Sequence, residues 1–206
     1  IALIDDMKNA YHITQPIITK TDKEDYKTVF SDSIMLNVSR GCTRGCRFCM
    51  SSYLYRPLRE TTIKELVNIA LKTRENTNLN KITLIGAAVG DYYDLEGLTK
   101  ALESEGFQIA TPSLRIDSLS RETLETLKKS GLKSITIAPE SISTLRERIN
   151  KSISDEKIFS VIKNAVDLDF NIKLYFLIGI PYESKEDIEE LANYIEKIAN
   201  MHKNRN

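Results

Sequence analysis

Short runs of β-branched residues alternate with amphipathic stretches from residue 34 onward, and this alternation restricts the fold more than any other feature. The predicted strands are Ile34–Val38, Lys81–Ile85, Gln108–Ile116, Ser134–Ala138 and Ile172–Ile178. Repeated strand–helix units wind right-handedly into a parallel sheet that carries its helices on the outside. The sequence therefore predicts an α/β fold, a partial (βα) barrel whose parallel sheet has about five to six strands.

Residues that cap helix N-termini separate these strands from the predicted helices. Thr62 with Glu65, and Ser184 with Asp187, have the spacing of a capping box. Further helices are predicted to begin near Asp94, Ser120, Thr144 and Ser154. Because the carboxyl ends of parallel strands meet at one rim, we expect the functional loops there.

Composition limits the classes of function. The chain has 206 residues, enough for one sizeable domain, and we expect residues 1–33 to form an N-terminal extension and residues 34–206 to form the core domain. Basic and acidic residues number 29 each, so net charge does not indicate a nucleic-acid partner, although a local basic patch is compatible with it. No apolar run has the length of a membrane span and no secretory signal begins the sequence, so we expect a cytoplasmic protein with no membrane partner.

All three cysteines lie in one short segment, Gly41-Cys42-Thr43-Arg44-Gly45-Cys46-Arg47-Phe48-Cys49, directly after the first predicted strand. Thiolates are the usual ligands of iron–sulfur clusters. A cubane has four irons, so three cysteines leave one iron open to another ligand. A structural zinc site is the alternative, but it normally takes four protein ligands. The two histidines, His12 and His202, are far away in the sequence.

The CxxxCxxC spacing, with an aromatic residue before the last cysteine and a βα series after it, resembles the radical S-adenosylmethionine (SAM) superfamily. The segment GCTRGCRFC, followed by YRPLRE, is similar to an uncharacterised branch of the superfamily near the cobalamin-binding and methylthiotransferase-like members. The resemblance implies that Cys42, Cys46 and Cys49 hold a [4Fe–4S] cluster whose open iron binds SAM. It also implies that the chain ends before the sixth strand of a complete core.

The activity implied by the resemblance is reductive cleavage of SAM to a 5′-deoxyadenosyl radical, which abstracts hydrogen from an unknown substrate. The electron would come from a reductant such as flavodoxin or ferredoxin. One alternative is methyl or methylthio transfer to RNA or protein, with cobalamin bound by a domain outside this chain. The other is a non-catalytic iron–sulfur module for electron transfer, which normally uses a protein ligand for every iron.

The resemblance also assigns SAM contacts at the strand ends. The aromatic Phe48 belongs to the cysteine motif, and Ile178 with Gly179 resembles the family's adenine-contacting segment. Glu140 resembles the contact to the ribose and the methionyl group, and its alternative is a carboxylate at a helix N-terminus.

Three further contacts concern the charged ends of SAM. Gly86 and Ala87 stand where the family often has Gly-Gly-Glu and would accept from the SAM ammonium, with Asp91 as the acidic substitute. A plain glycine turn is the alternative there. Arg115 or Arg146 would pair with the SAM carboxylate through a planar fork, although Arg146 is expected to be exposed.

Five arginines surround the cysteines in the sequence: Arg40, Arg44, Arg47, Arg56 and Arg59. Neighbouring cations stabilise a cluster that gains negative charge on reduction. We expect at least two of the five to lie in water, and we expect Tyr53, Tyr55 and Arg56 to line the mouth of the substrate site.

Overall fold

The computed structural model describes residues 4–17 and 32–203. Its strands are β1 (Ile34–Asn37), β2 (Ser39–Arg40), β3 (Arg59–Glu60), β4 (Lys81–Ile85), β5 (Gln108–Ala110), β6 (Ser134–Glu140) and β7 (Asn171–Phe176). Its helices are α1 (Ser51–Leu54), α2 (Ile63–Thr77), α3 (Leu95–Ser104), α4 (Arg121–Lys129), α5 (Ser143–Arg148), α6 (Asp155–Asp167) and α7 (Lys185–Lys203). All five predicted strands are present, and the α/β class with helices around a parallel sheet is confirmed.

The parallel sheet is divided rather than continuous, which corrects the prediction of about five to six strands in one sheet. The first part has the order β1-β4-β5, and the second pairs β6 with β7. Within the described ranges, a single parallel bridge between Leu114 and Ile137 joins the two parts. We refer to these parts as the first and second halves of the barrel wall.

The division follows from the early end of the third strand. It was predicted to run to Ile116, but β5 ends at Ala110. Pro112 cannot donate a ladder hydrogen bond, so pairing stops and resumes only where Leu114 N donates to Thr136 O at 2.8 Å. The chain then forms a 3-10 turn from Ile116 to Ser118.

Local capping explains where the helices begin. Both hydrogen bonds of the predicted capping box between Thr62 and Glu65 are present at α2. Asp94, Ser120 and Ser154 each accept a backbone N–H in the first turn of α3, α4 and α6. These helices bury their apolar faces against the strands in one hydrophobic core.

Two elements near the cysteines were not predicted, the antiparallel pair β2–β3 and the one-turn helix α1. Arg40 pairs with Arg59 in the first of them, so the segment after the cysteines folds back beside the segment before them. Within residues 4–17, Met7 is buried and the Ile4 carbonyl accepts from Arg59 at 2.8 Å. The rest of the predicted N-terminal extension, residues 1–3 and 18–31, lies outside the described residues.

Candidate functional site

The cysteine loop, residues 41–49, leaves β2 at the rim formed by the carboxyl ends of the strands. The thiols of Cys42 and Cys46 are buried, that of Cys49 is partly exposed, and none of the three is in a disulfide. A turn bond from Cys49 N to Cys46 O, 3.0 Å long, sets the separation of the last two cysteines. The loop thus presents three free thiols from a short stretch of chain.

Side chains from elsewhere fix the carbonyl groups of this loop. Asn150 Nδ2 donates to Gly45 O at 2.9 Å and to Arg44 O at 3.3 Å. Tyr53 Oη also donates to Gly45 O, at 3.1 Å, and Arg56 Nη2 donates to the Thr43 carbonyl at 3.2 Å. Three consecutive peptide planes are therefore held from outside the loop.

Arg47 connects the loop to the end of α5, which follows β6 in the chain. Its backbone N–H donates to Ile149 O at 2.9 Å, and its guanidinium donates to Arg148 O at 2.5 Å. Together with Asn150, these contacts make residues 148–150 a platform for the loop. Asn150 itself has a φ of 55°, in the left-handed region that asparagine tolerates better than most residues.

The donor groups of the loop suit an iron–sulfur cluster. Within residues 4–17 and 32–203, the backbone amides of residues 42–46 donate to no protein acceptor. Consecutive free amides form a concavity for an anionic group, and thiolate-ligated clusters are anionic. In the same ranges, no three His, Cys, Asp or Glu side chains are grouped as ligands of a single metal ion. The fit therefore rests on the three free thiols and on these amides.

Gly41 begins the loop at a position where only glycine fits. Its φ is 94°, and a Cβ there would lie 2.4 Å from Tyr55 O and 2.6 Å from Pro57 O. Both clashes are with backbone, so a neighbouring side chain cannot relieve them. The missing side chain allows residues 55–57 to pack directly against the start of the loop.

Two of the predicted SAM-contacting residues, Asp91 and Arg115, belong to a network of four charges. Arg44 Nη2 and Nε bind Asp91 at 2.6 and 2.8 Å, and Arg115 binds both oxygens of Asp117 at 2.9 Å. Cross-contacts of 3.3 Å between Arg44 and Asp117 and 3.8 Å between Arg115 and Asp91 join the two pairs. The charge of Asp91 is therefore compensated mainly by Arg44 of the cysteine loop, and the charge of Arg115 mainly by Asp117.

The pKa shifts in this network reflect its pairing. The hydrogen bonds with Asp91 raise the pKa of Arg44 above its usual value. Burial opposes the charged form of Asp117, but the bonds and charge of Arg115, with the charge of Arg44, lower its pKa overall. Burial likewise opposes the charge of Arg115, but the hydrogen bonds that it donates to Asp117, together with the charges of Asp117 and Asp91, outweigh burial and raise the pKa of Arg115. All three groups are held in their charged forms at neutral pH.

Glu140 lies at the end of β6 in a buried ion pair. Its Oε1 accepts from Lys151 Nζ at 2.5 Å, and both side chains are less than a tenth exposed. The φ of Glu140 is 71°, and the register between β6 and β7 shifts just before it. Leu177 N donates to the Glu140 carbonyl at 2.7 Å, and this bond holds the unusual backbone conformation in place.

Arg146 was expected to be exposed, and this expectation is wrong. It is 0% exposed and donates to the carbonyls of Ser141 and Ile153 and to the carboxylate of Asp155. A buried guanidinium is stable only with such partners, and here they tie the end of β6 to the start of α6. Arg146 supports the platform and does not reach the rim.

An apolar cavity of about 380 Å³ adjoins the distal end of the cysteine loop. It is lined by Arg47, Phe48, Arg148, Ile149, Ile180, Pro181 and Tyr182. Of the predicted cofactor contacts Phe48, Ile178 and Gly179, only Phe48 lines it. Ile178 is 76% exposed, and Gly179 turns the chain with a φ of 88° and donates its N–H to Glu183 at 2.6 Å. The neighbouring Ile180 and Pro181 supply the cavity surface from this segment.

A larger cavity of about 640 Å³ adjoins the proximal end of the loop, at Gly41. Gly86 and Ala87 line it, as do Tyr55 and Arg56, which were predicted at the substrate mouth. Tyr53 does not line it and instead bonds to the loop. We call this the arginine cavity, because Arg40, Arg56 and Arg59 all border it.

Sequence reasoning missed the residues that hold the loop from a distance. Asn150 is 105 residues from Gly45 in the sequence, and Lys151 is 11 residues beyond Glu140. No local spacing marks such pairs. The strand end at Glu140 was the one available signal, because a carboxylate after an apolar strand needs a partner when it is buried.

A partial βα barrel with a three-thiol loop at its first strand end defines an iron–sulfur α/β protein. The chain belongs to the radical SAM superfamily, whose family model matches residues 36–195. Members of this superfamily use a [4Fe–4S] cluster and SAM, so both predicted cofactors are confirmed.

Two curated relatives illustrate the range of the family. The chain is 38% identical over 189 residues to an uncharacterized protein of Methanocaldococcus jannaschii. This match covers 89% of this chain and 40% of that protein. It is 29% identical over 176 residues to cytidylyl-2-hydroxyethylphosphonate methyltransferase of Streptomyces wedmorensis, covering 81% and 33%. The chain thus spans less than half the length of either relative.

Solved structures confirm the fold. The radical SAM methyltransferase TsrM of Kitasatospora setae, with cobalamin and a [4Fe–4S] cluster bound, has a TM-score of 0.66 and 10% identity over 81% of this chain and 35% of that chain. Within the described residues, no helix has the length and apolar character needed to cross a membrane.

Proposed function

We propose that this chain is the catalytic core of a radical SAM enzyme in which Cys42, Cys46 and Cys49 ligate three irons of the cluster. The observation that carries the proposal is the presence, in one externally braced loop, of three free cysteines and of backbone amides without a partner among the described residues. The bound cofactors supply one-electron reductive cleavage of SAM to methionine and a 5′-deoxyadenosyl radical, which takes hydrogen from the substrate. The protein supplies orientation, charge and exclusion of water.

The platform at residues 148–150 fixes the loop geometry in this proposal. Asn150 orients the peptide planes of Arg44 and Gly45, so the N–H groups of Gly45 and Cys46 point away from the carbonyls that Asn150 holds. These amides and the Arg44 guanidinium offset the negative charge of the thiolates. Because Asp91 and Arg115 are paired with Arg44 and Asp117, we infer that they act on SAM indirectly, by positioning Arg44.

The apolar cavity beside Phe48 is the site proposed for the adenine ring. Aromatic and aliphatic side chains in a cavity of about 380 Å³ suit a nucleobase. Ile178 and Gly179 hold the turn that presents Ile180. Glu140 keeps one carboxylate oxygen for a ribose hydroxyl, because Lys151 occupies the other. The backbone carbonyls of Gly86 and Ala87 remain the proposed acceptors for the SAM ammonium.

A second candidate function is methyl or methylthio transfer. The observation that favours it is the set of relatives, which includes the phosphonate methyltransferase above and a tRNA-2-methylthio-N(6)-dimethylallyladenosine synthase of Ehrlichia canis, 24% identical over 93% of this chain and 47% of that protein. A flavodoxin or ferredoxin is the proposed electron donor for either function.

Anaerobic reconstitution with iron and sulfide tests the proposal. The wild-type protein should bind four irons, change its reduced electron paramagnetic resonance spectrum when SAM is added, and release 5′-deoxyadenosine under reduction. Cys46→Ala should lose the cluster, whereas Met50→Ala, at an exposed position beside the loop, should keep it. Four irons in Cys46→Ala would refute the ligand assignment. A cluster that never cleaves SAM would favour the electron-transfer module, and methylated product would favour the second function.

A further inference from the structure

The arginine cavity has a composition that differs from the rest of the rim. It lies between the start of the cysteine loop, the segment 54–59 and the turn after β4. Its lining consists of Ile4, Asn37, Ser39, Arg40, Gly41, Leu54, Tyr55, Arg56, Arg59, Ile85, Gly86 and Ala87. No carboxylate is among these residues, although three guanidinium groups are.

The positive charge of this cavity has no compensating carboxylate in the described part of the chain. Among residues 4–17 and 32–203, no carboxylate lies within ion-pair distance of Arg40, Arg56 or Arg59. Arg56 donates one bond, to the Thr43 carbonyl, and Arg59 donates to carbonyls including those of Ile4 and Tyr55. Arg40 donates to no side chain or carbonyl of the described residues outside its strand. These donors and charges are available to an anion.

A buried hydroxyl gives an independent sign of a ligand. Ser39 is 2% exposed, and its Oγ has no hydrogen-bond partner in the described part of the chain. Gly86 packs directly against it, since a Cβ there would lie 2.8 Å from Ser39 Oγ. A buried unpaired hydroxyl is unfavourable unless a ligand or water satisfies it. Ser39 belongs to the lining of the arginine cavity, as Gly86 does.

The chemistry of the lining identifies the class of anion. Guanidinium groups bind phosphate through paired donors, and their planar geometry matches its oxygens. The side chains of Leu54 and Tyr55 are 61% and 58% exposed and add an aliphatic and an aromatic surface. A tyrosine ring can stack on a nucleobase. A volume of about 640 Å³ accommodates a nucleotide-sized molecule.

We propose that the arginine cavity binds the phosphate group of a small nucleotide-like substrate, with Arg40, Arg56 and Ser39 as the phosphate donors and Tyr55 beneath the base. The role as a substrate site rests on the proposed radical SAM function. Binding itself does not, because it requires neither cluster nor SAM. The two proposals can therefore fail separately.

Calorimetry on the reconstituted protein without SAM tests the site, with uridine 5′-monophosphate, ribose 5-phosphate and uridine as probes. The monophosphate should bind at least roughly tenfold more tightly than uridine, and ribose 5-phosphate should bind with intermediate affinity. Arg40→Gln and Arg56→Gln should each weaken the monophosphate roughly tenfold, and Ser39→Ala by a smaller factor. The matched control Arg121→Gln, on α4 and paired with Glu125, should bind as the wild type does.

Equal affinities for uridine and its monophosphate, or wild-type affinity in both Arg40→Gln and Arg56→Gln, would overturn the site. A single-stranded oligoribonucleotide that bound more than about tenfold tighter than the monophosphate would overturn the small-molecule class in favour of RNA. Release of 5′-deoxyadenosine by the wild type is measured in parallel. If SAM is not cleaved but the monophosphate binds as expected, the radical function fails and the phosphate site stands.

Discussion

The two sides of the cysteine loop use arginine in opposite ways. On one side, Arg44 and Arg115 are bound to Asp91 and Asp117 in a closed network. On the other side, the guanidinium of Arg40 borders an open cavity and is not paired with any carboxylate of the described residues. The side chains of one group hold the protein together, and those of the other leave their charge available. Pairing, more than residue type, therefore separates structural from ligand-binding arginines here.

The largest effect on stability is expected at the buried ion pair between Lys151 and Glu140. Lys151→Ala should destabilise the fold by about 3–5 kcal/mol, because it leaves Glu140 buried without its partner. Urea unfolding followed by circular dichroism measures this loss. The double variant Glu140→Gln with Lys151→Met removes both charges and should recover most of the stability. A double variant as unstable as Lys151→Ala would show that packing, not charge, is responsible.

The network on the paired side predicts the next largest effect. Asp91→Asn keeps the shape of the side chain but removes its charge, so Arg44 and Arg115 lose a shared partner. We expect a loss of about 2 kcal/mol in unfolding free energy, the range for a hydrogen bond to a charged group.

The control for Asp91→Asn is Glu125→Gln, which breaks an exposed pair with Arg121. This control should change the unfolding free energy by less than about 1 kcal/mol. Equal losses in the two variants would mean that the network beside the loop contributes no more than an ordinary surface pair, and the contrast between the two sides would lose its basis.

The same network predicts a pH dependence through Asp117. Its pKa in the fold lies below its usual value of 3.8, since pairing with Arg115 and Arg44 outweighs burial. The unfolded chain therefore takes up the proton first as the pH falls. The stabilisation is complete above about pH 3.8 and is lost as the pH falls through the lower folded pKa.

Unfolding in urea at a series of acidic pH values measures this loss. Asp117→Asn should be less stable than the wild type at neutral pH and should lose less stability across the acidic window. Identical slopes for the two proteins would contradict the assignment of this pH dependence to Asp117.

The unpaired side predicts the smallest effect on stability. Arg40→Gln should change the unfolding free energy by no more than about 0.5 kcal/mol, because Arg40 has no ion pair with a described residue to lose. Thermal unfolding in the absence of phosphate compounds checks this. A loss as large as that in Asp91→Asn would show that Arg40 has a structural partner and would remove the distinction between the two sides.

Local patterns in the sequence account for much of the fold. The capping residues Thr62, Asp94, Ser120 and Ser154 were identified because a cap and its helix are adjacent in the chain. Strand positions followed from β-branched runs for the same reason. The pair β2–β3 was missed because two residues per strand are too few to show an alternation. The early end of β5 at Ala110 depends on Pro112 and on the partner strand, and only the proline is visible locally.

The candidate site was less accessible to sequence reasoning. The cysteine spacing is local, so the loop could be found directly. The partners of the loop are not local: Asn150 reaches Gly45 across 105 residues, and Asp91 reaches Arg44 across 47. Such contacts depend on how the barrel wall closes, which pairing between distant strands determines. For the same reason Arg146 could not be recognised as buried from its polar surroundings in the sequence.

The seam between the halves of the barrel wall gives the cysteine loop a second consequence. Among the described residues, only the bridge from Leu114 to Ile137 joins the strands there. The cysteine loop, which follows β1 and β2, is bonded through Arg47 to Ile149, which follows β6 and α5. The loop therefore bridges the weakly paired boundary between the two groups of strands. Ordering of the loop and alignment of the two groups of strands are therefore coupled. A group that binds the three thiols should also stabilise the contact between these strands.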